Sequence, residues 1–202
     1  MLETTALAAE RGGQPLFSDL AFTVATGNLL RVRGANGSGK TTLLRTLAGL
    51  TRPAAGAVRW RGEPIGDAYR REMLFLGHAA AVKDELTVAE NLDFSSRLSS
   101  VDSAKDKVKT AMEQLGIARL ADLPARFLSQ GQRKRAALAR LVLSAGVPLW
   151  LLDEPFAALD EEAIACVSAL CAAHLTAGGM VVLTSHQTVP IPCARPQDLE
   201  LR

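Results

Sequence analysis

The run Gly34-Ala-Asn-Gly-Ser-Gly-Lys-Thr41 restricts this chain more than any other. It fits the pattern G-x-x-x-x-G-K-[ST], and it lies between the apolar Leu29–Arg33 and the helical pattern of Thr41–Leu50. A strand, a tight loop and a helix must therefore follow one another directly. Gly34, Gly37 and Gly39 let backbone N–H groups turn inward around phosphate oxygens, where a Cβ would obstruct. Ala35, Asn36 and Ser38 fill the turn, and Thr42 closes the run. The helix N-terminus adds partial positive charge. Lys40 is placed for β- and γ-phosphates and Thr41 for Mg²⁺, so the loop predicts ATP or GTP binding.

Strand-like and helical runs alternate along the rest of the chain, which predicts an α/β fold. Val58–Trp60, Met73–Leu76, the LWLL of 149–152 and the MVVLTSH of 180–186 read as strands. The middle is mainly helical. Thr87-x-x-Glu90 is a capping box, Ser103 is a candidate cap for a helix carrying Val108, Met112 and Leu115, and a further helix spans Gln132 to Ser144. Asp160 caps a helix that ends at Gly178-Gly179. The expected organisation is one domain, 1–202, with a helical insertion at about 85–145.

A net charge of +2 excludes bulk electrostatics as a reason to bind nucleic acid. The three cysteines, Cys166, Cys171 and Cys193, lack metal-ligand spacing and fit a reduced, cytosolic protein. No apolar stretch approaches the roughly 18–20 residues that span a bilayer, and the N-terminal MLETTALAAE lacks a basic signal region. A membrane role is therefore expected only through a partner. His174, at helical spacing behind Cys171, reads as part of a packed face rather than as a ligand.

In LWLLDEP, 149–155, two acids end a buried strand. Asp153 is suited to the Mg²⁺ shell and Glu154 to deprotonating the attacking water. A GTPase would not need Glu154, and no N-K-x-D motif is present, so ATP hydrolysis is the expected chemistry. The stretch Leu128-Ser-Gln-Gly-Gln132 supplies a second polar, glycine-containing turn at a helix start. Since one phosphate loop already encloses one triphosphate, this second turn makes sense if it reads a nucleotide held by another subunit.

These motifs, in this order, resemble the ATP-binding-cassette (ABC) ATPases, whose signature loop is LSGGQ. The resemblance runs from Gly34 to His186. It implies a homodimer in which Ser129, Gln130, Gly131 and Gln132 of one subunit cover the ATP of the other. Ala158-Leu159-Asp160 resembles the loop that crosses the dimer interface, and His186 resembles the switch histidine that contacts the γ-phosphate and positions Glu154. Gln130 stands where the family has glycine. The family's usual Mg²⁺-touching glutamine is missing after Leu76, and His78 is the candidate replacement. An aromatic for the adenine is also missing, and Arg11 is the candidate to stack in its place.

The segments LFLGHAAAVKDELTVAENL, LPARFLSQGQRKRAALARL and LTSHQ closely resemble the ATP-binding subunits of the bacterial cytochrome c biogenesis system. That resemblance implies an ATPase peripheral to the cytoplasmic face of the inner membrane. Its implied partners are an integral membrane subunit of the CcmB type, with CcmC and CcmD nearby, and its work is haem export or release of the haem-loaded chaperone CcmE. The alternative is the same ATPase serving an exporter of another lipid or small molecule. A soluble ABC protein acting on ribosomes or DNA would bring a second cassette or a long coiled-coil insertion. A P-loop kinase would leave LSQGQ and His186 without a role. If His78 takes over the glutamine's part, ATP turnover should gain a pH dependence that a glutamine would not give. A pH–rate profile of His78→Gln that overlays the parent profile would refute that substitution of roles.

Overall fold

In the computed structural model, residues 1–98, 105–192 and 195–201 are described; Ser103 and Cys193 lie outside them. The fold is built on two sheets. The first contains β1 (Leu2–Arg11), β2 (Gln14–Val24), β4 (Ala55–Trp60) and β5 (Glu63–Pro64), antiparallel in the order β2-β1-β4-β5. The second contains β3 (Asn28–Gly34), β6 (Met73–Leu76), β7 (Leu149–Asp153), β8 (Met180–Thr184) and β9 (Arg195–Leu201). Its order is β6-β7-β8-β3-β9, and every pairing is parallel.

The central strands are apolar throughout because both of their faces are covered. Their side chains divide by the two-residue period of a strand. Trp150 and Leu152 of β7, with Val181 and Leu183 of β8, face one core; Leu149, Leu151, Met180 and Val182 face the other. The second core lies between the two sheets and holds helix α1 (Lys40–Leu47) by Leu43, Leu44 and Leu47. The first core is roofed by α3 (Val88–Leu98), α4 (Lys105–Gln114), α5 (Gln130–Leu143) and α6 (Glu161–Thr176), while α2 (Asp67–Arg71) precedes β6.

Several helix boundaries follow their expected chemistry. Thr87 and Glu90 form a reciprocal cap: the Thr87 N–H donates to Glu90 Oε2 at 2.8 Å, and the Glu90 N–H to Thr87 Oγ1 at 3.2 Å. Asp160 caps α6 by accepting from the Ala163 N–H at 2.9 Å. Val108, Met112 and Leu115 are buried on the face expected of them. Four strands were not anticipated: β1, β2, the two-residue β5 and β9. β2 lies at the sheet edge and pairs with β1 in a bulged register, and polar residues interrupt the alternation of both. β9 follows His186 and reads RPQDLEL, without an apolar run. What makes it a strand is pairing along the whole of β3, from Asn28–Arg195 to Gly34–Leu201.

His174 is buried and packed, as expected of it. Its ring stacks on Trp150 with centroids 3.8 Å apart and planes 2° from parallel. Gly179 must lack a side chain here, because a Cβ would lie 2.2 Å from His174 Nε2. Burial lowers the imidazole's pKa, and the backbone at Ala145, Met180 and Pro148 opposes this only in part. The neutral ring is therefore the folded form. A depressed folded pKa contributes stability that is present above the ordinary histidine value of about 6.5 and is lost as pH falls below it. His174→Phe, which keeps a stacked ring, should flatten the acid side of the unfolding free energy by at most about one proton's worth of slope. Equilibrium denaturation at a series of pH values measures this, and parallel slopes for the two proteins would count against it.

Candidate functional site

The parallel sheet decides where chemistry can gather. The ends of β3, β6, β7 and β8 share one edge, and such carboxyl edges of open α/β sheets are where ligands bind. There the loop 34–41, the turn at Gly77-His78, the acids Asp153 and Glu154 and the segment Ser185-His186 converge. The cleft of about 380 Å³ at this edge is lined by His78, Asp153, Glu154 and His186 together with Arg11, Leu16 and Ala157, while Gly34, Ala35 and Ser38 are not in its lining. Asn36, Gly37, Gly39, Lys40, Thr41 and Thr42 are all in that lining, whereas Ser129, Gln130, Gly131, Gln132 and Asp160 are not.

Within the loop, the Lys40 ammonium donates to the carbonyls of Gly34 at 2.8 Å and Ala35 at 2.9 Å, which holds it across the turn. Gly34 has φ 144°, and a Cβ there would meet the Leu201 carbonyl at 2.5 Å and Ser38 Oγ at 2.6 Å. The tail strand thus backs the loop closely and makes glycine obligatory at that position. Ser38 Oγ is buried with no hydrogen-bond partner among the described residues. A buried hydroxyl without a partner is costly, and a phosphate oxygen in this cradle would supply one.

Asp153 is 1% exposed, and both of its oxygens are engaged. Thr41 Oγ1 donates to Oδ2 at 2.9 Å and Thr184 Oγ1 to Oδ1 at 2.8 Å. Thr184 Oγ1 also accepts from the Glu154 N–H at 2.9 Å. Glu154 itself has φ 48°, a left-handed backbone that a side-chain-bearing residue adopts only at a cost, and such strain collects at functional sites. The twist turns its carboxylate toward His186, whose backbone N–H donates to Oε2 at 3.3 Å. His186 Nε2 stands 3.4 Å from Oε1 without hydrogen-bond geometry, so Oε1 remains without a donor among the described residues. That free acceptor is available to a water.

The sequence reading missed Thr184, although a hydroxyl interrupting the apolar run MVVL was its signal. His78 lines the cleft and is exposed, with no side-chain hydrogen bond among the described residues. Arg11, the last residue of β1, lines it too, and no Phe, Tyr or Trp does so among the described residues. Oxygen donors from one carboxylate and one hydroxyl fit Mg²⁺, which typically takes one or two carboxylates and completes its shell with phosphates and water. No cluster of three or more His, Cys, Asp or Glu suited to a metal occurs among the described residues, so the protein does not offer a cage of its own there.

The remaining predicted residues lie outside this cleft. Ser129 caps α5: its Oγ accepts from the Gln132 N–H at 3.2 Å, and the Gln132 side chain returns to the Ser129 N–H at 2.9 Å. Ser129 and Gln130 are exposed. Gly131 packs close to Ala158, where a Cβ would lie 3.2 Å from the carbonyl. Asp160 also pairs with Arg135, which donates to the Leu115 carbonyl at 2.9 Å. The Asp160 carboxyl is held below its usual range by the Ala163 N–H and then by Arg135. Cys166 and Cys171 are packing residues: burial pushes the Cys171 thiol up to about 12, and Cys166 Sγ donates to the Gln114 carbonyl at 3.2 Å.

Comparison with known proteins agrees with this geometry. The sequence profile of the ABC transporter family matches residues 17–157. The cytochrome c biogenesis ATP-binding export protein CcmA of Dechloromonas aromatica is 46% identical over 204 residues, covering 100% of both chains. The protein of the same name from Nitrosospira multiformis is 47% identical, with 99% of this chain and 98% of that one covered. A solved dimeric bacterial ABC transporter cassette shares the fold with a TM-score of 0.82 at 24% identity, covering 99% of this chain and 94% of the other. No helix among the described residues is long and apolar enough to cross a membrane. The chain belongs to the ABC transporter family of ATP-binding, ATP-hydrolysing subunits, and within it to the CcmA group.

Proposed function

We propose that this chain is the ATP-hydrolysing, energy-coupling subunit of a membrane complex in c-type cytochrome biogenesis. The observation that carries the chemistry is the Thr41–Asp153–Thr184–Glu154 chain of hydrogen bonds, which sets a metal-binding acid and a candidate base side by side beneath the phosphate loop. The relatives' shared name supports the pathway.

ATP lies in the loop 34–42, its β- and γ-phosphates facing Lys40 and Ser38. Thr41 and Asp153 are the residues that would hold Mg²⁺, which would neutralise phosphate charge. Glu154 Oε1 accepts a proton from water as the water oxygen bonds to the γ-phosphorus; the bond to the bridging oxygen of ADP breaks and inorganic phosphate leaves. His186 orients Glu154 and contacts the γ-phosphate. The exposed Ser129–Gln132 turn and Asp160 serve a second copy, so that two chains enclose two nucleotides. The unit is one domain, 1–202, whose helical insertion at about 85–145 carries this turn.

The complex is completed by an integral membrane subunit of the CcmB type, with CcmC and CcmD, at the cytoplasmic face of the inner membrane. Its work is haem export or release of haem-loaded CcmE, which makes the enzyme a haem-transporting ATPase.

Glu154→Gln should retain ATP binding and lower turnover by about 10²–10⁴-fold, the scale of a general base. Carried by the whole cell, it should abolish covalent haem in periplasmic c-type cytochromes while b-type cytochromes persist. Intact c-type haem beside a silenced ATPase would transfer the enzyme to another cargo, such as a lipid or small molecule. Thr184→Val, close in shape, leaves an Asp153 oxygen and the Glu154 N–H without their bridge. It should lower kcat by about 10–100-fold with little change in KM for ATP, and Thr184→Ser should restore it. Equal kcat in the valine and parent proteins would remove Thr184 from the site.

A further inference from the structure

Beyond the wall formed by Thr41, His78 and Asp153 lies a second cleft of about 400 Å³, between α5 and the turn that follows β6. Its remaining lining is apolar or alanine and glycine, with the exception of Arg45, Lys134 and Arg140. Asp153 is the one carboxylate in the lining, and two hydroxyls already occupy its oxygens. None of the three cationic side chains makes a hydrogen bond or ion pair among the described residues.

The contrast within the run 133–135 is informative. Arg133 pairs with Asp84 at 2.6 Å and Arg135 pairs with Asp160, each across the surface of the helical region. Lys134 between them turns into the cleft, on the α5 face that also carries Ala137 and Leu138. Burial there lowers its pKa, and Asp153 and Glu154 counter that through space, which places the ammonium within electrostatic reach of the reacting acids. Lys134 and Arg140 are partly buried cations without partners among the described residues, with the exposed Arg45 beside them, and such groups call for an anion.

We propose that this second cleft is an inorganic-phosphate site, through which the product of hydrolysis leaves. The inference rests on the ATPase reading above. In that reading phosphate is released at the shared wall, while ADP keeps the phosphate-loop side of the first cleft. The doubly or singly charged product then meets Arg45, Lys134 and Arg140 without passing the nucleotide. A phosphate oxyanion suits a cleft lined by several cationic donors better than a neutral ligand does.

The test uses the intact membrane complex and inorganic phosphate as a product inhibitor of steady-state ATP hydrolysis. Lys134→Met should raise the phosphate inhibition constant by about three- to tenfold, the scale of one charged contact, with KM for ATP unchanged. Lys134→Arg should restore it. Arg45→Met, at an exposed position, provides the same reading if Lys134→Met fails to fold. An inhibition constant that does not move overturns the proposal, as does a KM for ATP that rises in step with it. Loss of the membrane subunit from the purified variant complex, with phosphate inhibition unchanged, would give these cations to an acidic segment of that partner and equally overturn it. If the parent complex hydrolyses no ATP, the ATPase reading fails by itself. Phosphate binding to the full chain, followed by ³¹P NMR with and without Lys134→Met, then decides the site independently.

Discussion

The buried carboxylate of Asp153 is the constraint around which the rest of the site is arranged. A charge at 1% exposure must be compensated by hydrogen bonds or it would disfavour the fold. Here the compensation comes from two threonines on different elements, Thr41 at the start of α1 and Thr184 at the end of β8. Satisfying one acid therefore fixes the distance between the phosphate-loop helix and two neighbouring strands. It also seats Glu154, whose N–H is held by the same Thr184 hydroxyl.

That arrangement depends on the sheet order. Because β3 and β7 both pair with β8, the loop after β3, the acids after β7 and the histidine after β8 open onto one cleft. The strands can take this central place because their alternating faces feed two separate apolar cores. On the far side, β9 closes against β3 and brings the Leu201 carbonyl to the back of Gly34. The tail of the chain is thus part of the phosphate loop's support, although it carries no motif.

The helical region adds a second layer of organisation. Arg135 links the Leu115 carbonyl to the Asp160 cap of α6, so the helices bearing the signature turn are tied to the loop that follows Glu154. Gly131 lies against Ala158 on the same route. The turn Ser129–Gln132 is itself a well-made helix cap whose N-terminus remains exposed, a geometry suited to a ligand presented from outside the chain.

Much of this was legible residue by residue. The phosphate loop, the acids at 153 and 154 and the caps at Thr87, Ser129 and Asp160 are local: each depends on neighbours a few positions away, so spacing and residue type are sufficient to find them. The strands β1, β2, β5 and β9 were not legible, because bulged, very short or polar-rich strands are made by their partners and not by their own alternation. Nor was the bridging role of Thr184, since a hydroxyl's partner 31 residues away is set by strand register. The local sequence determined which chemical groups this protein carries and in what order. Tertiary structure decided which of them share one cleft, because the burial of Asp153 and the pairing of β8 with both β3 and β7 are long-range requirements.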